Sequence, residues 1–195
     1  MKKVLVVILV CFFASCLFAM EEELVSFSVK DYLDNKINVK VTCLDYQDAK
    51  FAMYFTNADT YSFLGIEPFG IIVTEEYYPM FMTGINKFFE WIDVANQNSV
   101  TSLDKSIPVD GEDTLFDIGR FYNGGYITRD SMYFTFKKNG SSVQLIMNVF
   151  FGYSTQKFYF DQYQVEKLRT VLSEENLNKT LERISAKEKQ KDLFY

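Results

Sequence analysis

The feature that most restricts this chain is the alternation of apolar and polar residues along it. Ile37, Val39, Val41 and Cys43 are interleaved with Asn38, Lys40 and Thr42. Met132, Phe134 and Phe136 alternate with Ser131, Tyr133 and Thr135, and Val143, Leu145, Met147, Val149 and Phe151 share one parity. A period of two sends successive side chains to opposite faces, so these segments read as β-strands. Residues 25–29, 51–55, 70–73, 115–122 and 158–160 supply further strands on the same argument. Asn139-Gly140 between two alternating runs predicts a type I′ hairpin, because both residues tolerate positive φ.

The period changes twice. Phe81, Ile85, Phe88, Phe89 and Ile92 recur at helical spacing. Thr74 is the expected N-cap, with Glu75 and Glu76 in the first turn, and the helix should stop near residues 96–98. Further on, Asp161 and Gln164 have capping-box spacing, and Val165, Leu168 and Leu172 form an apolar stripe. Leu177, Leu181 and Ile184 continue on a shifted face, which places a break near Ser173.

The expected organisation is therefore a leader over 1–19, a β-rich half over 20–97 ending in a helix, a connection over 98–113, and a second β-rich half over 114–195 with C-terminal helices. The halves are expected to pack as one compact domain of α+β class, with antiparallel sheets and helices after each half. The order is a tandem ββββα arrangement, which resembles the topology of Whirly-type and PUR-type single-strand nucleic-acid binders. That resemblance concerns element order alone and carries no site residues over.

Lys2 and Lys3, the uncharged apolar run 4–13 and the segment Ser15-Cys16-Leu17-Phe18-Ala19 have the order of a signal peptide cleaved after Ala19. The run is shorter than the roughly 20 residues of a comfortable membrane span. A second reading takes Phe13-Ala14-Ser15-Cys16 as a relaxed bacterial lipoprotein box, with Cys16 acylated and the protein tethered. A third retains the leader as an anchor. The expectation is export to a periplasmic or extracellular address, with membrane contact if Cys16 carries lipid. Formal charge is -6 and becomes about -8 without Lys2 and Lys3. Net acidity counts against nucleic acid as a partner. Cys11 and Cys16 fall in the leader, so Cys43 is left without a disulfide partner, and its parity makes it a buried thiol.

The chain has no histidine, which removes Ser-His and Cys-His nucleophiles and His metal sites. No zinc-like spacing or phosphate-cradling Gly-rich loop is present, so neither metal nor cofactor is expected. Ser102 and Lys105 have the S-x-x-K spacing of some acyl-enzyme hydrolases, against the plainer reading of a solvated loop. Asp110, Glu112, Asp113 and Asp117 offer oxygen ligands without EF-hand spacing and read as a solvated acidic loop. Arg120, Arg129 and Lys137 lie near Tyr122, Tyr126 and Tyr133, a pattern that can hold a single strand or an anionic sugar, or simply decorate a strand edge.

One observation departs from an ordinary one-sided sheet. The parity opposite the second half's main apolar face carries Tyr133, Ile146, Phe150 and Tyr159. Either a helix covers that face or it is an exposed patch for a partner. The leading expectation is a non-enzymatic module that contacts a protein or an apolar ligand through Tyr133, Phe150 and Tyr159, with no catalytic residues. The alternatives are a hydrolase using carboxylates or Ser102 and Lys105, and a single-strand nucleic-acid binder.

Overall fold

Among the described residues, alternation becomes nine antiparallel strands, joined by three helices in an α+β fold. The structure, a computed structural model, describes residues 20–45, 48–57, 69–122, 125–151 and 154–192. The leader and Cys16 lie outside the described residues. The order is β1 (Met20–Asp31), β2 (Lys36–Asp45), β3 (Ala49–Asn57), β4 (Phe69–Thr74), α1 (Tyr78–Gln97), β5 (Ser102–Ser106), β6 (Phe116–Tyr122), β7 (Gly125–Asn139), β8 (Ser142–Phe151), β9 (Ser154–Asp161), α2 (Gln162–Val171) and α3 (Glu174–Asp192).

The sheet closes on itself. Its hydrogen-bonded order is β5-β7-β6-β4-β3-β2-β1-β9-β8, and β8 pairs again with β7. β5 and β6 lie one after the other along the same edge of β7, since Ser106 pairs with Thr135 and Phe116 with Met132. Ile107 bridges them by donating its N–H to the Phe134 carbonyl at 2.8 Å. Counted as one interrupted strand, β5 and β6 give each half the order of four strands followed by helix.

Closure defines an inner and an outer face. The inner parity of every long strand feeds one cluster, which includes Val41, Phe51, Phe134, Leu145 and Phe160. Phe81 of α1 meets Phe51 and Phe134 edge-on at 5.0 and 5.2 Å. Phe55 of β3 stacks on Phe158 of β9 at 4.0 Å, although β2 and β1 lie between those strands in the sheet. Gly84 lets α1 lie close against β7, because a Cβ there would fall 2.2 Å from the Phe134 ring. Val165 and Leu168 of α2 and Leu177 and Ile184 of α3 join the same interior. Burying each large ring contributes about 2–3 kcal/mol, so a core this aromatic needs no disulfide.

Several local expectations are corrected. Residues 102–106, expected within a connection, form β5. Thr74 ends β4 and does not cap α1. The helix starts at Tyr78 after Tyr77, without a side-chain cap, with a proline in its first positions. Pro79 lacks the N–H that an earlier start would have used within the helix, so the first turn forms around it. The β7–β8 loop is Gly140-Ser141, since Asn139 pairs with Ser142. Gly140 alone takes positive φ, 59°, as in a type II′ turn.

The second helical region follows the sequence closely. Asp161 and Gln164 form the capping box, each side chain bonding the other's backbone N–H at 2.8 Å. The break falls at Ser173, whose Oγ accepts from the Asn176 N–H. A bulge between Glu23 and Val25 shifts the parity of β1 and places Glu22 opposite Cys43, on the inner side. There the Glu22 carboxylate accepts from Arg183 at 2.7 Å and Lys187 at 2.8 Å, tying the start of β1 to α3. These two partners hold its carboxyl below the usual range.

Candidate functional site: the outer face of β7, β8 and β9

The outer parity of the last three strands makes a cross-strand grid. Ser131 pairs with Phe150 and Phe150 with Thr155. Tyr133, Asn148 and Lys157 form the next row, then Thr135, Ile146 and Tyr159, then Lys137, Gln144 and Asp161. Tyr133 and Phe150 are diagonal neighbours in this grid and stack with centroids 5.6 Å apart and planes 29° apart. Lys137 Nζ lies 6.0 Å from the Tyr159 ring centroid. The structure thus brings Tyr133, Phe150 and Tyr159 onto one face, all three half-buried.

The floor between the rings is closed and satisfied. Ile146, Thr135 and Asn148 are buried. The Asn148 amide donates to Thr135 Oγ1 at 3.1 Å, and to the Ile146 and Tyr133 carbonyls at 3.2 and 3.4 Å. The apolar stripes of α2 and α3 belong to the interior cluster, so these helices turn away from this face. What remains is an aromatic strip on the outside of the closed sheet, with the Lys137 and Lys157 ammonium groups beside it and Asp104 opposite Lys137, suited to stacking contact.

The other sequence candidates are dispersed. Ser102 and Lys105 are three residues apart on β5, which puts them on opposite faces. Lys105 Nζ instead lies 5.5 Å from the Trp91 ring. Asp110 and Asp113 close a backbone turn around Gly111 at φ 54°, and Asp110, Glu112 and Asp113 are exposed. Among the described residues no group of three or more His, Cys, Asp or Glu could hold a metal ion. Cys43 is fully buried, and burial pushes its thiol up to about 11, as expected of an inert core thiol. Arg120 and Arg129 lie on β6 and β7, while their side chains and those of Tyr122 and Tyr126 lie outside the described residues.

Two features were missed by sequence reasoning. Lys157 shares the outward parity of Tyr159 and could have been placed on this face by counting in twos. A second aromatic-lysine contact lies on the outer face of the first half. Lys40 Nζ is 5.2 Å from the Tyr54 ring centroid and 3.0 Å from Glu21 Oε1, while the Tyr54 hydroxyl donates to Glu21 Oε2 at 3.2 Å. Burial, together with Glu21, pushes the Tyr54 phenol up to about 12. The β1 bulge that brings Glu21 there leaves no mark in composition or periodicity.

Comparison with protein families, with curated proteins and with solved structures finds no match for this chain. Among the described residues no helix is long and apolar enough to cross a membrane.

Proposed function

We propose that this is an exported, non-enzymatic binding module whose contact surface is the outer face of β7, β8 and β9. The observation that carries this reading is the half-exposed Tyr133–Phe150 stack beside Tyr159, on a face from which α2 and α3 turn away. A solvated sheet face is ordinarily polar, and rings retained there supply contact area at low entropy cost. The partner is a protein or an apolar ligand, held without a metal or cofactor. Export follows from the leader, with release after Ala19 or tethering through Cys16 as the two routes.

The anionic dye anilinonaphthalene sulfonate tests the surface. The folded protein should enhance its fluorescence. Replacing Tyr133, Phe150 and Tyr159 together by Ser should remove that enhancement while circular dichroism is unchanged. Undiminished dye binding by the folded triple variant would rule this surface out. Intact mass of the protein from its own host tests the address, since a start at Met20 and an acylated Cys16 differ in mass. An uncleaved, unmodified chain would overturn both routes.

A further inference from the structure

We propose that the leader, residues 1–19, docks on the outer face of β2, β3 and β4 while it is still attached, so that cleavage after Ala19 uncovers an apolar surface. This face is separate from that of β7, β8 and β9.

The outward residues of β2, β3 and β4 are sealed, and no described element lies over them. Leu44, Ala52 and Ile72 have the parity opposite to Cys43, Met53 and Ile71, and they form a small cluster apart from the interior. An outward residue on an open sheet face keeps part of its surface in water, yet these three are 2%, 0% and 1% exposed. They do not roof one another, because their cross-strand neighbours are small. Ala52 pairs with Thr42 and Ile72, and Ile72 pairs with Gly119. On β7, β8 and β9 the buried floor lies among several large rings, whereas Tyr54 is the one ring packed against this cluster. The apolar residues of α1, α2 and α3 all belong to the interior, so none of these helices supplies the cover. Thr74 has the same outward parity, and its Oγ1 is buried without a hydrogen-bond partner among the described residues. A hydroxyl left in that state is one that a covering segment would satisfy.

Chain geometry selects the leader as that segment. Met20 pairs with Asp45 and Glu21 with Leu44, so residue 19 leaves the sheet beside the cluster. The uncharged apolar run 4–13 lies just upstream. It spans about 15 Å as a helix and more if extended, against about 10 Å from β2 to β4. Residues 58–68 join β3 to β4 at the other end of the face. Ala49 lies about 27 Å from Asn57 along β3, and a segment of that length, fixed at both ends, reaches only about 20 Å. Residues 46–47 close the β2–β3 turn and are too few to cross from Leu44 to Ile72. A docked leader is withdrawn from the export machinery, so folding and export become alternative fates of the same segment. Export of the unfolded chain followed by cleavage leaves Leu44, Ala52 and Ile72 uncovered.

The test uses the full chain made by cell-free synthesis, with the leader uncleaved, and the leader's own thiols. In Ile72→Cys, mild oxidation should join Cys11 or Cys16 to the new thiol, read from the mass of the linked peptides. Cys43 is fully buried and does not compete. Ser26→Cys is the control, because Ser26 is exposed on the outer face of β1 about 20 Å from Met20, and Ile72 lies about 18 Å from it. Linkage at position 72 with little at position 26 is the expected result. Equal linkage at both, or none at 72, would overturn the proposal, and Ala52→Cys serves if Ile72→Cys folds poorly. Ile72→Asp gives a second measurement. Under a docked leader it buries a charge and should lower the urea midpoint of the full chain, while the chain beginning at Met20 should keep its midpoint nearly unchanged. An equal drop in both chains would overturn the proposal, because the domain alone would then seal Ile72.

Discussion

The two outer surfaces of this sheet finish their aromatic-lysine contacts differently. On the first half, Glu21 accepts from both Lys40 and Tyr54, and the cluster is closed. On the second, Lys137 sits by Tyr159 and pairs in register with Asp104 of β5 without an ion pair between them, and Lys157 lies one row from Tyr159. Both surfaces grow from the same interior, where rings from each half interlock. The difference therefore lies in how each half finishes its outward residues, and it teaches that an aromatic-lysine contact is by itself neither structural nor functional.

The strongest way to break the comparison is through the shared interior. Phe158→Ala removes the ring stacked on Phe55 from the opposite half and should cost about 3–5 kcal/mol. Thermal unfolding followed at helix and aromatic wavelengths should shift together, and two separate transitions would show that the halves stand alone. Gly84→Ala drives a Cβ into the Phe134 ring and should cost about 2–3 kcal/mol, read as a lower urea midpoint. An unchanged midpoint would mean that α1 lies farther from β7 than described.

Smaller effects probe the second half's helices. Asp161→Ala removes the capping box and should cost about 1 kcal/mol with some loss of helical signal. Glu22→Gln addresses the tie between β1 and α3. The folded-state carboxyl is held down, so its stabilisation is present above the ordinary value of 4.5 and is lost as pH falls through the folded value. The variant should be less stable than the parent at pH 7, by about 1 kcal/mol for so accessible a pair, and equal to it near pH 2. A gap that persists in acid would sink this account. Gln144→Glu, next to Lys137 across the strands, sharpens the comparison most directly. It places a second carboxylate beside Lys137, across from Asp104, and should change stability by only a few tenths of a kcal/mol, read as a nearly unchanged urea midpoint.

Much of this was legible in the chain. Ile37 to Cys43 and Met132 to Phe136 face the interior as their alternation requires, and the capping box at Asp161 and the break at Ser173 lie where spacing puts them. Tyr133, Phe150 and Tyr159 were placed on one face by parity alone. What could not be read has identifiable causes. Three consecutive glutamates have poor strand propensity, so the opening of β1 was missed until its pairing with β2 supplied the context. The bulge shifts parity by one residue, which no periodic count reveals. β5 is short and charged, as an edge segment is, and resembles a loop in composition. Closure of the sheet depends on long-range pairing, which local patterns do not encode.

That closure also sets the order of events in making the protein. β1 meets β9 through only two residue pairs, Lys30 with Tyr159 and Asp31 with Phe158, supplemented by Gln164 donating to the Ser28 carbonyl at 2.6 Å. The first strand to leave the ribosome thus waits for a partner about 130 residues later, the long-separation contact that slows folding. Until β9 arrives, one edge of β1 has no strand beside it and the aromatic interior stays open. The ring therefore cannot shut until nearly the whole chain has emerged.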